Sequence, residues 1–139
     1  MTIFELLKRE EGFVPHVYQD HLGYWTIGYG RLVDKRRGGR IREGEAELML
    51  KNDIEEVEAK LDEHIPWWRG LVRTRRTILT AMAYQMGIGG LMRFRNTLAA
   101  VKRGDYAEAA RGMRASLWAR QTPGRAERMA QAMERGRFR

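Results

Sequence analysis

The sequence has no cysteine and only three prolines, and aromatic residues make up just 9% of it. Without cysteine there is no disulfide framework and no thiolate metal site, so the fold must rest on packing and hydrogen bonds. No apolar run approaches the length that spans a bilayer. The opening residues, Met1-Thr2-Ile3-Phe4-Glu5, lack the basic start and long apolar stretch of a secretory signal. The expectation is a protein that stays where it is made unless another protein releases it. Repeats and low-complexity tracts are also missing, and 139 residues with 43% apolar content suit one domain, 1–139, with a core of its own.

What is abundant is positive charge. The net charge of +8 implies attraction to something anionic: nucleic acid, a membrane surface or a bacterial wall. The charge is unevenly spread. Residues 43 to 63 hold nine acids against Lys51 and Lys60, whereas residues 111 to 139 hold eight arginines against Glu127 and Glu134. Each run fits a solvated helix face, and the basic tail is the better binding candidate.

Thr2 with Glu5 three residues on forms a capping box, and Ile3, Phe4, Leu6 and Leu7 give a helical apolar pattern that Gly12 ends, so residues 2 to 11 read as a short helix. Pro15 breaks any continuation. Val17-Tyr18-Gln19-Asp20, the turn-prone His21-Leu22-Gly23 and Tyr24-Trp25-Thr26-Ile27-Gly28 then read as a β-hairpin, with Gly28, Gly30, Gly38 and Gly39 marking further turns. From Arg42 to His64 the apolar positions Ala46, Leu50, Ile54, Val57 and Leu61 recur at helical spacing, and Pro66 stops that helix. Leu71 to Met86 reads as a central helix, Gly87-Ile88-Gly89-Gly90 as a loop, and Asn96 or Thr97 as the start of a helix ending near Gly104. Asp105 can cap the next, and Thr122-Pro123 opens the last, with threonine as cap and proline at its first position. The class is α+β, a small β lobe (13–41) inserted between an N-terminal helix and a larger C-terminal helical lobe. Residues 42–64 are the connector, and 1–12 with 65–139 form the helical lobe.

Two carboxyls invite a chemical reading. Glu11 shares a helix face with Phe4 and Leu7 and lies at the negative end of that helix; apolar surroundings and a helix C-terminus both favour the protonated form that a general acid needs. Asp20 sits at the mouth of a polar turn where solvent keeps it ionised. Carboxyls in contrasting environments can divide the acid and base roles of glycoside hydrolysis, although an Asp in a hairpin turn is commonly only a turn former. Thr26 equally suits an ordinary β-branched strand position.

Beyond composition and spacing, the stretch Ile3-Phe4-Glu5, Glu11-Gly12, Tyr18, Asp20, Gly23-Tyr24, Thr26-Ile27-Gly28 and Gly30 resembles the start of the T-even phage lysozymes, glycoside hydrolase family 24. Glu45-Ala46-Glu47, Gln85-Met86-Gly87, Phe94, Asn96, Leu98, Glu108-Ala109-Ala110, Trp118, Gln121-Thr122-Pro123 and Arg125-Ala126 follow in the family's order, so the resemblance covers nearly the whole chain. It implies a lysozyme-like fold and an inverting hydrolase of the β-1,4 bond between N-acetylmuramic acid and N-acetylglucosamine. Glu11 would protonate the glycosidic oxygen, while Asp20 and Thr26 hold a water on the opposite sugar face. It further implies that Arg125 pairs with Glu11, that Gln85, Trp118 and Thr122 line the contact behind it, and that Leu32, Tyr84 and Thr97 touch saccharide. The implied setting is a phage endolysin, made in the host cytoplasm and reaching the periplasmic wall through a separate pore.

Three departures bear on substrate range. Arg31 stands where a histidine is usual, the segment Asp34 to Ile41 with Lys35-Arg36-Arg37 is shorter than in the longest members, and Gly112 stands where relatives can carry a polar sugar contact. His16, His21 and His64 have no metal spacing, and no cofactor is expected. Trp67-Trp68 offers either a binding platform or buried packing. Peptidoglycan is the expected partner of a monomer. A rival reading makes the last helix a membrane binder, its Arg125, Arg128, Arg135, Arg137 and Arg139 accompanying Met129, Ala132, Met133 and Phe138. Nucleic-acid binding ranks last, because no recognition motif accompanies the charge.

Overall fold

A computed structural model of the chain describes residues 1–34 and 39–138. The basic run Lys35-Arg36-Arg37, the turn expected at Gly38 and the terminal Arg139 lie outside the described residues. The chain divides into two compact units, Met1–Met49 and Leu50–Arg139.

The first unit opens with α1 (Ile3–Glu11), whose capping box is present in full: the Glu5 N–H donates to Thr2 Oγ1 at 3.1 Å and the Thr2 N–H to Glu5 Oε2 at 3.0 Å. Gly12 ends the helix at φ +71°. A three-stranded antiparallel sheet follows in the order β1 (Val14–Gln19), β2 (Trp25–Gly28), β3 (Arg31–Asp34). Pro15 lies within β1 instead of preceding the sheet. It is tolerated because β1 is an edge strand whose register with β2 shifts between Val14 and Tyr18, so no ladder bond is asked of the missing N–H. β3 is a strand that the sequence pattern does not announce. Gly28 and Gly30, both at positive φ, turn the chain into it around Tyr29.

The helix α2 (Glu43–His64) runs across the boundary between the units. Its apolar stripe is buried in a graded way, with Leu61 fully buried, Ile54 and Val57 half-buried, and Ala46 and Leu50 exposed. The expected stripe therefore serves the core only towards its C-terminal end.

The second unit holds α3 (Arg73–Met92), α4 (Arg95–Lys102), α5 (Tyr106–Arg114), α6 (Leu117–Gln121) and α7 (Pro123–Arg135), preceded by a 3-10 turn at Trp68–Gly70. All nine of the largest fully buried side chains among the described residues lie here, including Leu61, Ile78, Met82, Leu91 and Met133. Gly87-Ile88-Gly89-Gly90 is not a loop: only Gly87 leaves the helical region (φ +77°, ψ 160°), and the helix resumes because Leu91 is fully buried and Ile88 packs on the core. α4 starts at Arg95, a residue earlier than expected, after a Phe94 that provides no side-chain cap. Asp105 caps α5 by accepting from the Glu108 N–H at 3.2 Å. Thr122 occupies the cap position of α7 without capping it, since its hydroxyl donates backwards to the Trp118 carbonyl of α6 at 3.1 Å.

The Trp67-Trp68 pair is spent on this core. Trp68 is 3% exposed, its indole N–H donates to Asp62 at 2.8 Å, and Arg69 stacks on its ring, which settles its role as packing. In α7, Ala126, Ala130, Ala132 and Met133 are buried and Met129 is half-buried against the core, while Phe138 beyond the end of the helix is 58% exposed. A long-range clasp fixes the end of that helix. From α3, Arg75 donates to the carbonyls of Met133 (2.8 Å) and Glu134 (3.1 Å), and its guanidinium lies 3.3 Å from the Tyr106 ring centroid.

Candidate active site

Glu11, Asp20 and Thr26 all fall in the first unit, at the end of α1, in the β1–β2 turn and on the central strand respectively. Asp20 is held firmly. Its Oδ1 accepts from the N–H groups of Leu22 (2.8 Å) and Tyr24 (2.9 Å), while its own N–H donates to the Tyr24 carbonyl at 2.9 Å. This is the Asx-type turn that the residue's chemistry favours, so the turn-forming reading holds, and the turn also aims the carboxylate. Oδ2 accepts no bond among the described residues.

Thr26 is the one residue of the first unit that is buried as a whole among the described residues, at 5% exposed. It pairs with Tyr18 on one side and Leu32 on the other, and its hydroxyl donates to the Tyr24 carbonyl at 3.1 Å. Donating its proton to the backbone leaves the hydroxyl oxygen to act as an acceptor. The Tyr24 peptide units thus tie Asp20 and Thr26 together: the Tyr24 N–H holds the carboxylate and its carbonyl holds the hydroxyl.

Glu11 is exposed, and Phe4 and Leu7 on its helix are exposed too, so the apolar surroundings expected for it are not provided by its own helix. What does contact it is Gly30. A Cβ built on Gly30 would overlap Glu11 Oε2 and lie 2.8 Å from its Cδ, so the carboxyl group packs directly on the bare backbone of the β2–β3 turn. Gly30 is recognisable from its neighbours as a turn residue; its second job, making room for Glu11, carries no local signal.

Arg31, the departure from the histidine, binds Glu45 at 2.7 and 2.9 Å through one guanidinium nitrogen. Arg42 also binds Glu45. Hydrogen bonds from Arg42 and then Arg31 hold the Glu45 carboxyl below its ordinary pKa. The residue after Gly30 is thereby tied to the first turn of α2.

The remaining expected residues divide between the units. Leu32 is 39% exposed on β3. Tyr84 projects from α3 at 47% exposed, which removes the core alternative for it, whereas Thr97 is 7% exposed with Gly112 against its hydroxyl. Gln85, Trp118 and Thr122 do come together: the Trp118 indole N–H donates to Gln85 at 3.0 Å, its carbonyl accepts from Thr122, and its ring meets Phe94 edge-on at 6.2 Å. Arg125 stands half-buried in α7 of the same unit. Among the described residues no group of His, Asp or Glu is arranged to hold a metal ion.

The model of the phage lysozyme family matches residues 8–137. The chain belongs to the phage lysozyme family. It is a glycoside hydrolase of that family, and its helical body with a small antiparallel sheet is the α+β arrangement expected. Relatives include the pre-baseplate central spike protein of Enterobacteria phage T4, 33% identical over 93% of this chain and 27% of that protein. The probable T4-type lysozyme 1 of Dictyostelium discoideum is 28% identical over 97% of this chain and 95% of its own length. A peptidoglycan hydrolase of Pseudomonas phage phiKMV is 30% identical over 91% of this chain and 14% of that protein. The chain thus spans about a quarter of the T4 spike protein and nearly all of the Dictyostelium lysozyme.

Proposed function

We propose that this lysozyme hydrolyses the β-1,4 bond between N-acetylmuramic acid and N-acetylglucosamine in bacterial peptidoglycan, with inversion at the anomeric carbon. Glu11 gives its proton to the glycosidic oxygen. A water, accepted on Asp20 Oδ2 and on the Thr26 hydroxyl oxygen, attacks the anomeric carbon from the opposite face and passes a proton to Asp20. Atoms balance: the glycosidic C–O bond breaks, a C–OH bond forms, and the leaving sugar keeps the proton from Glu11.

The observation that carries this reading is the shared anchoring of Asp20 and Thr26 on Tyr24, which leaves one carboxylate oxygen and one hydroxyl oxygen to hold a water. Peptidoglycan hydrolysis is in the printed name of the phiKMV relative, and the +8 charge suits a polymer bearing anionic peptides. The lobe assignment of 13–41, 42–64 and 1–12 with 65–139, saccharide contacts at Leu32, Tyr84 and Thr97, action as a monomer and release to the wall through a separate pore belong to the same proposal. No helix among the described residues is long and apolar enough to cross a membrane.

The deciding experiment is release of reducing sugar from purified peptidoglycan by the wild type, Glu11→Gln and Asp20→Asn, with the anomer followed by NMR. We expect the α-anomer from the wild type and about 1% or less of that rate from either variant. Retained rates would move the acid or the water site elsewhere, and a β-anomer product would refute inversion.

A further inference from the structure

Arg31 sits between two residues through which the sheet touches the site. Gly30, before it, gives the bare backbone on which the Glu11 carboxyl packs, and Leu32, after it, is paired across the ladder with Thr26. β3 itself is weakly placed by its ladder. It is a four-residue edge strand with β2 as its one neighbour, and the register between them shifts between Trp25 and Thr26.

The Arg31 side chain supplies a brace from outside the sheet. One guanidinium nitrogen donates to the Leu32 carbonyl, and another donates to both carboxylate oxygens of Glu45, at 2.7 and 2.9 Å. Glu45 is itself fixed. It lies in the first turn of α2, where a negative charge suits the helix dipole. Arg42 donates to its carboxylate, and the Arg42 carbonyl accepts the Glu45 and Ala46 N–H groups at 3.1 Å each. Hydrogen bonds from Arg42 first and then Arg31 keep the Glu45 carboxyl below its usual pKa, so the bridge stays charged through neutral pH. A planar guanidinium can span the Leu32 carbonyl and the Glu45 carboxylate at once, which a single ammonium cannot. Both side chains are partly exposed to solvent, and ion pairs of that kind add little to stability.

We propose that Arg31, bound to Glu45, is a positioning residue for hydrolysis: it holds the β2–β3 turn and the start of β3 so that Gly30 seats Glu11 and Leu32 keeps Thr26 in register. Arg31 acts through these two neighbours and not on the substrate. The inference rests on Glu11 and Thr26 having the roles proposed above.

The test is steady-state kinetics on soluble, uncross-linked peptidoglycan chains, with melting curves alongside. A displacement of roughly 1 Å costs about 100-fold in rate, and loss of the brace permits a part of that, so Arg31→Ala should lower kcat about tenfold while KM stays within about threefold. Glu45→Ala should behave alike, and the double variant should fall no further than either single one, because the two changes remove one bridge. Arg31→Lys keeps the charge without the span, and its kcat should stay within about threefold of that of Arg31→Ala. Arg111→Ala is the control: it breaks a comparable exposed pair with Glu108 in α5, and should melt like Arg31→Ala while keeping the wild-type kcat. An unchanged kcat in Arg31→Ala, an effect confined to KM, an equal loss in Arg111→Ala, or losses that add in the double variant would each overturn the proposal. Failure of Glu11 as the acid shows differently, as sugar release by Glu11→Gln, and removes the functional reading together with the proposal. An inactive Glu11→Gln beside a fully active Arg31→Ala removes the proposal alone.

Discussion

Replacing Gly30 by alanine should disable the enzyme while barely unfolding it. The new Cβ would lie 2.8 Å from Glu11 Cδ and nearer still to Oε2, where ordinary contact begins at 3.4 Å. The carboxyl oxygen must therefore retreat by roughly 1 Å, by side-chain rotation or by movement of α1, and a displacement of that size costs about 100-fold in rate. Alanine at φ +67° adds a backbone penalty of about 1–2 kcal/mol. Gly28 is the control within the same turn: at φ +70° it carries the same penalty, yet a Cβ there meets nothing within 4 Å. Gly28→Ala and Gly30→Ala should lose similar stability in thermal melts, and only Gly30→Ala should lose about two orders of magnitude in reducing-sugar release. If both keep activity within about threefold of each other, the packing of Glu11 on Gly30 is not what places the acid.

Three other expectations are independent of that turn. Arg75→Ala should destabilise the protein by about 2–4 kcal/mol in urea titrations, because it removes two charged-donor bonds to the end of α7 and the stack on Tyr106; Arg75→Lys should recover less than half. Gly112→Ala places a Cβ on the Thr97 hydroxyl, so despite better helix propensity it should cost about 1–2 kcal/mol; adding Thr97→Ala should reverse the loss, and simple additivity would refute the contact. Glu45, Asp62 and Glu127 are held below their ordinary pKa values, chiefly by hydrogen bonds from Arg42, Arg69 and Arg114 respectively. Their contribution is present above those ordinary values and lost as pH falls through the lowered ones. Melting curves of wild type and Glu127→Gln should therefore differ near neutrality and converge in acid, and a constant offset would contradict the sign.

Features written in neighbouring residues were legible. The Thr2 and Glu5 box, the stop at Pro66 and the Asp105 cap each depend on contacts within one turn, and each appears in the structure. Short elements escaped. β3 has only four residues and α6 only five, too few to display a period, although Ser116 does cap α6 and was a usable signal. The glycine run after Met86 misled because propensity yields to burial when Leu91 and Ile88 must reach the core. At the site, the family pattern supplied Glu11, Asp20 and Thr26, whereas the contact of Glu11 with Gly30 joins positions that only folding brings together. Arg75 and Met133 are 58 residues apart, and no local pattern announces such a clasp.

The partition of burial has an evolutionary consequence. Among the described residues, every one of the largest fully buried side chains belongs to residues 50–138, while the proposed acid, water-holder and hydroxyl lie between residues 11 and 26. Changes that harden or loosen the larger body therefore fall on different codons from changes that retune the chemistry. Selection for thermal endurance and selection for a new wall can proceed with little interference. A lineage can accumulate surplus stability in the helical segment first, then draw on it when the short catalytic stretch is altered.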